Sequence, residues 1–347
     1  MKIAVVGAGA IGGYVGGWLA AAGEEVTFIA RGANLAAIKQ NGMRVTGEDG
    51  TEVVARPAVF EKTADAGPQD FVVLAVKAHQ VAAIAADVAA LCHGETAIVT
   101  MQNGIPWWYF HKHGGPLEGT AVRSADPDGS IAKLIDADRV IGSVVYPAAT
   151  LEAPGVVHVV EGKRFTLGEP DGSTSARAQA ISAAFVRAGF KAPVIADIRS
   201  EIWLKLWGNL SFNPISALTH STLAGLLRFP LTRELSIEMM REAETVANKL
   251  GVTFRVGIDK RIAGAEKVGE HKTSMLQDVE AGRPLELEAL IGAAVELGRL
   301  TQTPTPHIDA VYALVSLLAK QLGETHGRLS LPPSPTFSNQ SQSVQMA

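Results

Sequence analysis

The first 23 residues constrain this chain more than any other stretch. Ile3, Ala4, Val5 and Val6 form an apolar run, Gly7, Gly9 and Gly12 make a glycine turn, and a helix is predicted from near Ala10. A second apolar run, Val26 to Ile29, falls where a βαβ unit places its next strand. Two glycines let the backbone turn tightly and approach a pyrophosphate, and the third lets helix and strand pack together. The unpaired N–H groups and positive dipole end of the helix then face the phosphates. Gly7, Ala8, Gly9, Ala10, Ile11 and Gly12 are therefore the expected dinucleotide cradle. The plain alternative is a glycine turn that only packs a helix on a sheet.

The end of the second strand selects the cofactor. An acidic residue there would hydrogen-bond the 2'-hydroxyl of NAD or FAD, whereas this chain has Arg31, 19 residues beyond Gly12. A guanidinium suits a 2'-phosphate through paired, charge-assisted hydrogen bonds, which favours NADP. A solvated loop arginine is the bland reading of the same residue.

Composition narrows the remaining choices. A chain of 347 residues is long enough for about two domains, and 47% hydrophobic with 19% charged residues is ordinary globular usage. The net charge of -4 offers no basic field for nucleic acid or anionic lipid, so neither is an expected partner. Cys92 is the only cysteine, which rules out an internal disulfide and a multi-cysteine metal site and fits a reducing compartment. Lys2 before an apolar segment has the look of a signal peptide, but clustered glycines break the helical core such a signal needs. No run reaches the roughly 18 apolar residues of a membrane span. The expectation is a cytoplasmic protein with no metal.

Further along, helices are predicted at Asn34 to Asn41, Val81 to Leu91 and Ala176 to Gly189, with strands at Met43 to Thr46, Thr51 to Ala55, Phe71 to Val76, Thr96 to Met101, Arg139 to Tyr146, Val156 to Val160, Arg164 to Leu167 and Pro193 to Ile195. The short strands closing this half suggest an antiparallel extension of a parallel sheet. Lys77 and Asn103 sit just beyond two buried strands, at the carboxyl ends where doubly wound sheets bind their ligands. Their alternatives are a loop lysine and a simple Asn-Gly turn. Between them and the later strands lies the run Trp107, Trp108, Tyr109, Phe110, either an apolar wall beside a site or local core.

Strand signals stop near Ala196. Helical periodicity dominates from there, with helices predicted at Arg199 to Asn213, Thr232 to Leu250, Ile258 to Ala281, Leu285 to Leu300 and Ile308 to Leu322. The expected fold class is α/β, a Rossmann-type doubly wound sheet over 1–196 followed by an all-α domain over 197–326, with a flexible tail over 327–347. Pro214 predicts a kink or end in the first of these helices. Within it, Lys205, Asn209 and Asn213 fall at i, i+4 and i+8, an ammonium and two amides along one face. Such a row suits a small polar acid. The competing reading pairs Glu201 with Lys205 as an exposed ion pair and leaves the asparagines solvated.

With these motifs in hand, the chain from Met1 to about Leu322 resembles the ketopantoate reductase family (2-dehydropantoate 2-reductases). The resemblance rests on Gly7 to Gly12, Arg31, Val76-Lys77-Ala78, Gln102-Asn103-Gly104, the stretch Glu201 to Pro214, and Thr273 to Asp278 with Glu286 beyond it. It implies NADPH-dependent reduction of a 2-keto acid to a 2-hydroxy acid in pantothenate biosynthesis. It also implies Lys205 as catalytic acid, Glu286 as its catalytic companion, Asn209, Asn213 and Ser274 as substrate ligands, Lys77 and Asn103 facing cofactor and substrate, and Ala149 as a backbone contact to the cofactor. The chain departs from the pattern at the long aromatic segment after Ile105, at Leu223 and at His271, which leaves a larger or more apolar 2-keto acid open. An NADP-dependent 3-hydroxy acid dehydrogenase of similar plan and a non-catalytic NADPH sensor are the other readings. The apolar helical domain suits a homodimer.

Overall fold

The computed structural model describes residues 1–325, so the tail expected over 327–347 lies outside the described residues. Strands β1 (Lys2–Val6), β2 (Glu25–Ile29), β5 (Ala58–Phe60), β6 (Gln69–Leu74), β7 (Cys92–Thr100), β8 (Val140–Val145) and β11 (Phe165–Gly168) build a seven-stranded sheet in the order β11-β8-β7-β6-β1-β2-β5. All its pairs are parallel except β11 against β8, so the antiparallel extension is a single edge strand. The other late strands go elsewhere. β9 (Ala148–Ala153) and β10 (Val156–Glu161) join β3 (Met43–Thr46) and β4 (Glu52–Ala55) in a separate four-stranded sheet, order β4-β3-β10-β9.

Helix α1 (Ala10–Ala21) lies between the two sheets, and this explains its glycines. A Cβ at Gly16 would collide with Phe28 of β2, while Cβ atoms at Gly13 and Gly17 would approach Val157 and Val45 of the small sheet to 2.8 Å. Strand periodicity divides the core. Ile3 and Val5 point into one cluster with α1, the small sheet and α5 (Ala176–Arg187), and Ala4 and Val6 point into the other. This second cluster includes Ile84 and Val88 of α3 (Val81–Val88) and runs on into the helical half of the chain.

The aromatic run belongs to that second core. Trp107, Trp108, Tyr109 and Phe110 are buried. Trp108 donates Nε1–H to Thr100 Oγ1 at 3.1 Å, Trp203 donates Nε1–H to Tyr109 Oη at 2.8 Å, and Arg199 donates to the carbonyls of Tyr109 and His111. The polar groups of Trp108 and Tyr109 are thus satisfied, the buried Trp107 Nε1–H is left without a partner among the described residues, and the rings weld the two halves together.

Beyond α2 (Gly32–Asn41) and the short α4 (Ser130–Leu134), the remaining helices are α6 (Ile198–Thr219), α7 (Leu223–Arg228), α8 (Pro230–Lys249), α9 (Ile258–Val268), α10 (Ser274–Glu280), α11 (Ala293–Leu300) and α12 (Pro306–Glu324). Three expectations change here. Helix α6 continues past Pro214 to Thr219, because burial of Ile215, Ser216 and Ala217 holds the last turns in place despite the missing proline N–H. The single helix expected over 258–281 is two. Gly269 at φ +79 ends α9, and the Thr273 hydroxyl accepts from Leu276 N–H at 3.2 Å to start α10. The stretch expected as one helix from Leu285 opens instead with a π-helical turn, Glu288–Gly292, before α11.

Candidate active site

The cradle is set by what its glycines exclude. Gly7 has φ +102 and a Cβ there would meet Val76 at 2.8 Å, while a Cβ at Gly12 would collide with the Gly7 carbonyl oxygen. Gly9 is different: a Cβ on it would find nothing within 4 Å. The loop is therefore locked by two glycines and left bare at the third, as close approach of a pyrophosphate requires. Asn34 of α2 fastens it, donating Nδ2–H to the Ala8 carbonyl at 2.9 Å and accepting from Gly155 N–H at 2.9 Å. A cleft lined by Gly7, Ala8, Ala30, Arg31, Asn34 and Val76 opens beside the loop. Arg31 stands at its edge as the N-cap residue of α2, its side chain 66% exposed and its nearest anion, Asp87, 3.9 Å away. Such an exposed pair holds the guanidinium weakly.

The ends of β6 and β7 bring the next residues to the same mouth. Gln102 donates Nε2–H to the carbonyls of Leu74 and Val76 at 2.8 and 3.0 Å, tying the two strand ends together. Lys77 is not a free loop lysine. Its ammonium meets Asp278 of α10 at 2.7 Å, and the same buried carboxylate accepts from Arg283 Nε at 2.7 Å. Gly104, φ +89, leaves no room for a Cβ against the Ala289 carbonyl, and Ile105 N–H donates to that carbonyl at 2.8 Å. The strand end that carries Asn103 is thereby pinned to the π-helical turn.

Lys205 of α6 completes the arrangement. Its ammonium donates to Asn103 Oδ1 at 2.6 Å and to the Val145 carbonyl at the end of β8. Burial pushes this group down to about 8, and the Glu286 carboxylate opposes that shift. Glu286 itself accepts from Ala78 N–H at 3.1 Å. Along the same helix, Asn213 Nδ2 reaches Asn209 Oδ1 at 3.5 Å and Ser274 Oγ at 3.5 Å, so the break before α10 delivers Ser274 to the row. A pocket lined by Gln102, Asn103, Val145, Ile202, Lys205 and Asn209 lies beside these groups.

The exposed Glu201–Lys205 pair does not form. Glu201 is buried, its carboxylate accepting from Tyr146 Oη at 2.7 Å and from Arg255 at 2.9 and 3.0 Å. Ala149 lies on β9 opposite Val159 and lines neither cleft. Of the residues sequence reasoning left without a role, Asp278, Asn34 and Tyr146 hold the site together. Each contacts a partner more than 25 positions away, a separation that local patterns do not reveal.

An ammonium hydrogen-bonded between two strand ends, across from a phosphate cradle, is an arrangement for reducing a carbonyl. Two family models match the chain, "Ketopantoate reductase PanE/ApbA" over residues 3–172 and its C-terminal counterpart over 197–319. The chain belongs to the ketopantoate reductase family. A 2-dehydropantoate 2-reductase of Mesorhizobium japonicum is 56% identical over 324 residues, covering 93% of this chain and 99% of that protein. Among solved structures, one from Ralstonia solanacearum is 40% identical with a TM-score of 0.88, covering 92% of this chain and 98% of its own. A 2-dehydropantoate 2-reductase from Methylococcus capsulatus is 30% identical with a TM-score of 0.78, covering 95% of this chain and 99% of its own. Membership makes the chain a nicotinamide-dependent oxidoreductase acting on a small keto acid, and among the described residues no helix is long and apolar enough to cross a membrane.

Proposed function

We propose that this chain reduces 2-dehydropantoate to pantoate with NADPH, with 1–196 binding the cofactor and 197–326 carrying the catalytic helix. The observation that carries the reading is Lys205, whose ammonium sits at the strand ends hydrogen-bonded to Asn103, with Asn209 lining the same pocket and Glu286 within electrostatic reach. A nicotinamide bound at the glycine loop would supply the hydride for the keto carbon. Lys205 donates a proton to the oxygen as negative charge develops there, and Asn103 holds the ammonium in line. Glu286 keeps Lys205 charged, while Asn209, Asn213 and Ser274 hold the substrate's hydroxyl and carboxylate groups. Consumption of NADPH on addition of 2-dehydropantoate tests the reading. NADPH binding with no turnover would favour a sensor, and faster turnover of 3-hydroxy acids would favour the other dehydrogenase class.

A pH profile follows from the state of Lys205. The reduction needs the ammonium, so kcat/KM is expected to hold below about pH 8 and to fall as pH rises through that value. Removing the charge that supports the ammonium, Glu286→Gln, is expected to move this alkaline limb to lower pH. A limb that stays put in the variant would remove Glu286 from that role.

Cofactor choice rests on Arg31, whose loose tie to Asp87 leaves it available for a 2'-phosphate. Arg31→Ala is expected to lower the kcat/KM preference for NADPH over NADH by at least about tenfold, one charge-assisted contact or roughly 1.4 kcal/mol. An unchanged ratio would show that the discrimination lies elsewhere. A homodimer is supported by the exposed Leu314 and Leu317 of α12 and is read out by sedimentation; a cytoplasmic location is supported by the single cysteine.

A further inference from the structure

Among the described residues, Arg261 of α9 is a cation without a counterion. Its side chain makes no hydrogen bond or ion pair with any described residue, whereas Arg177, Arg199 and Arg255 all donate to carbonyl or carboxylate oxygens. Yet it is not a solvated surface group. The guanidinium lies against Gly208 so closely that a Cβ there would collide with Nη2, and it stands over the Phe212 ring at 5.8 Å from the centroid. Burial lowers its proton affinity, and Tyr146 is near enough to act on it electrostatically.

The position matters more than the isolation. Gly208 and Phe212 are one turn apart on α6, and Gly208 directly precedes Asn209 and lies one turn beyond Lys205. The guanidinium therefore crosses the helix at the turn that presents the catalytic row. Glycine inside a helix costs about 1 kcal/mol against alanine, and here its effect is to make the notch that seats Arg261. A cation seated on the helix that carries Lys205, Asn209 and Asn213, with no anion of the described residues paired to it, calls for one, and the substrate carries one.

We propose that Arg261 is a substrate-binding residue, its guanidinium seated in the Gly208 notch to receive the carboxylate of the 2-oxo acid. This role rests on the activity assigned above and adds a charged partner from α9 to the hydrogen-bonding groups of α6 and α10. It also sets a preference for acids over their esters, amides and lactones.

Steady-state kinetics on the full chain test the role, using 2-dehydropantoate and its uncharged lactone, ketopantoyl lactone, each with saturating NADPH. In Arg261→Met, which keeps an apolar stem on Phe212, KM for the acid is expected to rise about 30-fold or more. KM for the lactone and for NADPH should stay within about twofold of wild type, and Arg261→Lys or added guanidinium ion should restore part of the acid's affinity. Gly208→Ala, which displaces the guanidinium from its notch, is a second variant with the same expected selectivity. An active Arg261→Met with unchanged KM for the acid, or with acid and lactone affected alike, would overturn the role alone. A wild-type chain that binds NADPH but leaves 2-dehydropantoate untouched would overturn the assigned activity and this role with it.

Discussion

Lys205→Ala is expected to lower kcat for keto-acid reduction by about three orders of magnitude while leaving NADPH affinity nearly intact. The separation comes from geometry. The ammonium is bonded to Asn103 and to the Val145 carbonyl, whereas the glycine loop proposed to hold the dinucleotide lies between β1 and α1 and is fastened by Asn34 of α2. Its loss leaves the developing oxyanion with no proton donor at the strand ends. It also leaves the Val145 carbonyl without this partner, so a small loss of thermal stability should accompany the kinetic defect. Fluorescence titration of NADPH alongside single-turnover kinetics separates the effects. Near-normal turnover in the variant would take the proton-donor role from Lys205.

Gly9→Ala should abolish useful NADPH binding without unfolding the chain. Gly9 has φ -77, a value alanine adopts freely, and its Cβ would touch no atom of the protein within 4 Å. The space it enters is the space a pyrophosphate needs. A loss of about 100-fold in affinity, near 2.7 kcal/mol, is expected with the melting temperature close to that of wild type. Gly12→Ala makes the contrast, since there the methyl collides with the Gly7 carbonyl oxygen and both affinity and stability should fall. Binding that survives Gly9→Ala would mean the phosphates pass elsewhere.

The features legible in the sequence are those whose causes are local. The glycine turn, the buried parallel strands and the i, i+4, i+8 row are each set by residues within a dozen positions, and the comparisons and the fold agree with the family they suggested. The small sheet was not legible, because β3 and β10 pair across more than a hundred residues and neither strand signals its partner. The break between α9 and α10 did leave marks, Gly269 past the end of one helix and Thr273 at the cap of the next. Helical periodicity on both sides masked them. Arg261 stayed silent for another reason: nothing in Ile258–Val268 distinguishes an arginine facing solvent from one resting on a glycine of another helix.

The contact of Gly104 and Ile105 with the Ala289 carbonyl has an evolutionary reading. Where peptide groups touch directly, the reacting distance is inherited from the main chain and survives drift in the surrounding side chains. Selection can then recut the recognition of new keto acids at side chains around the pocket while the span from Asn103 to Lys205 stays as it was. A scaffold of this kind is ready-made for laboratory diversification of substrate range, provided Gly104 is left alone.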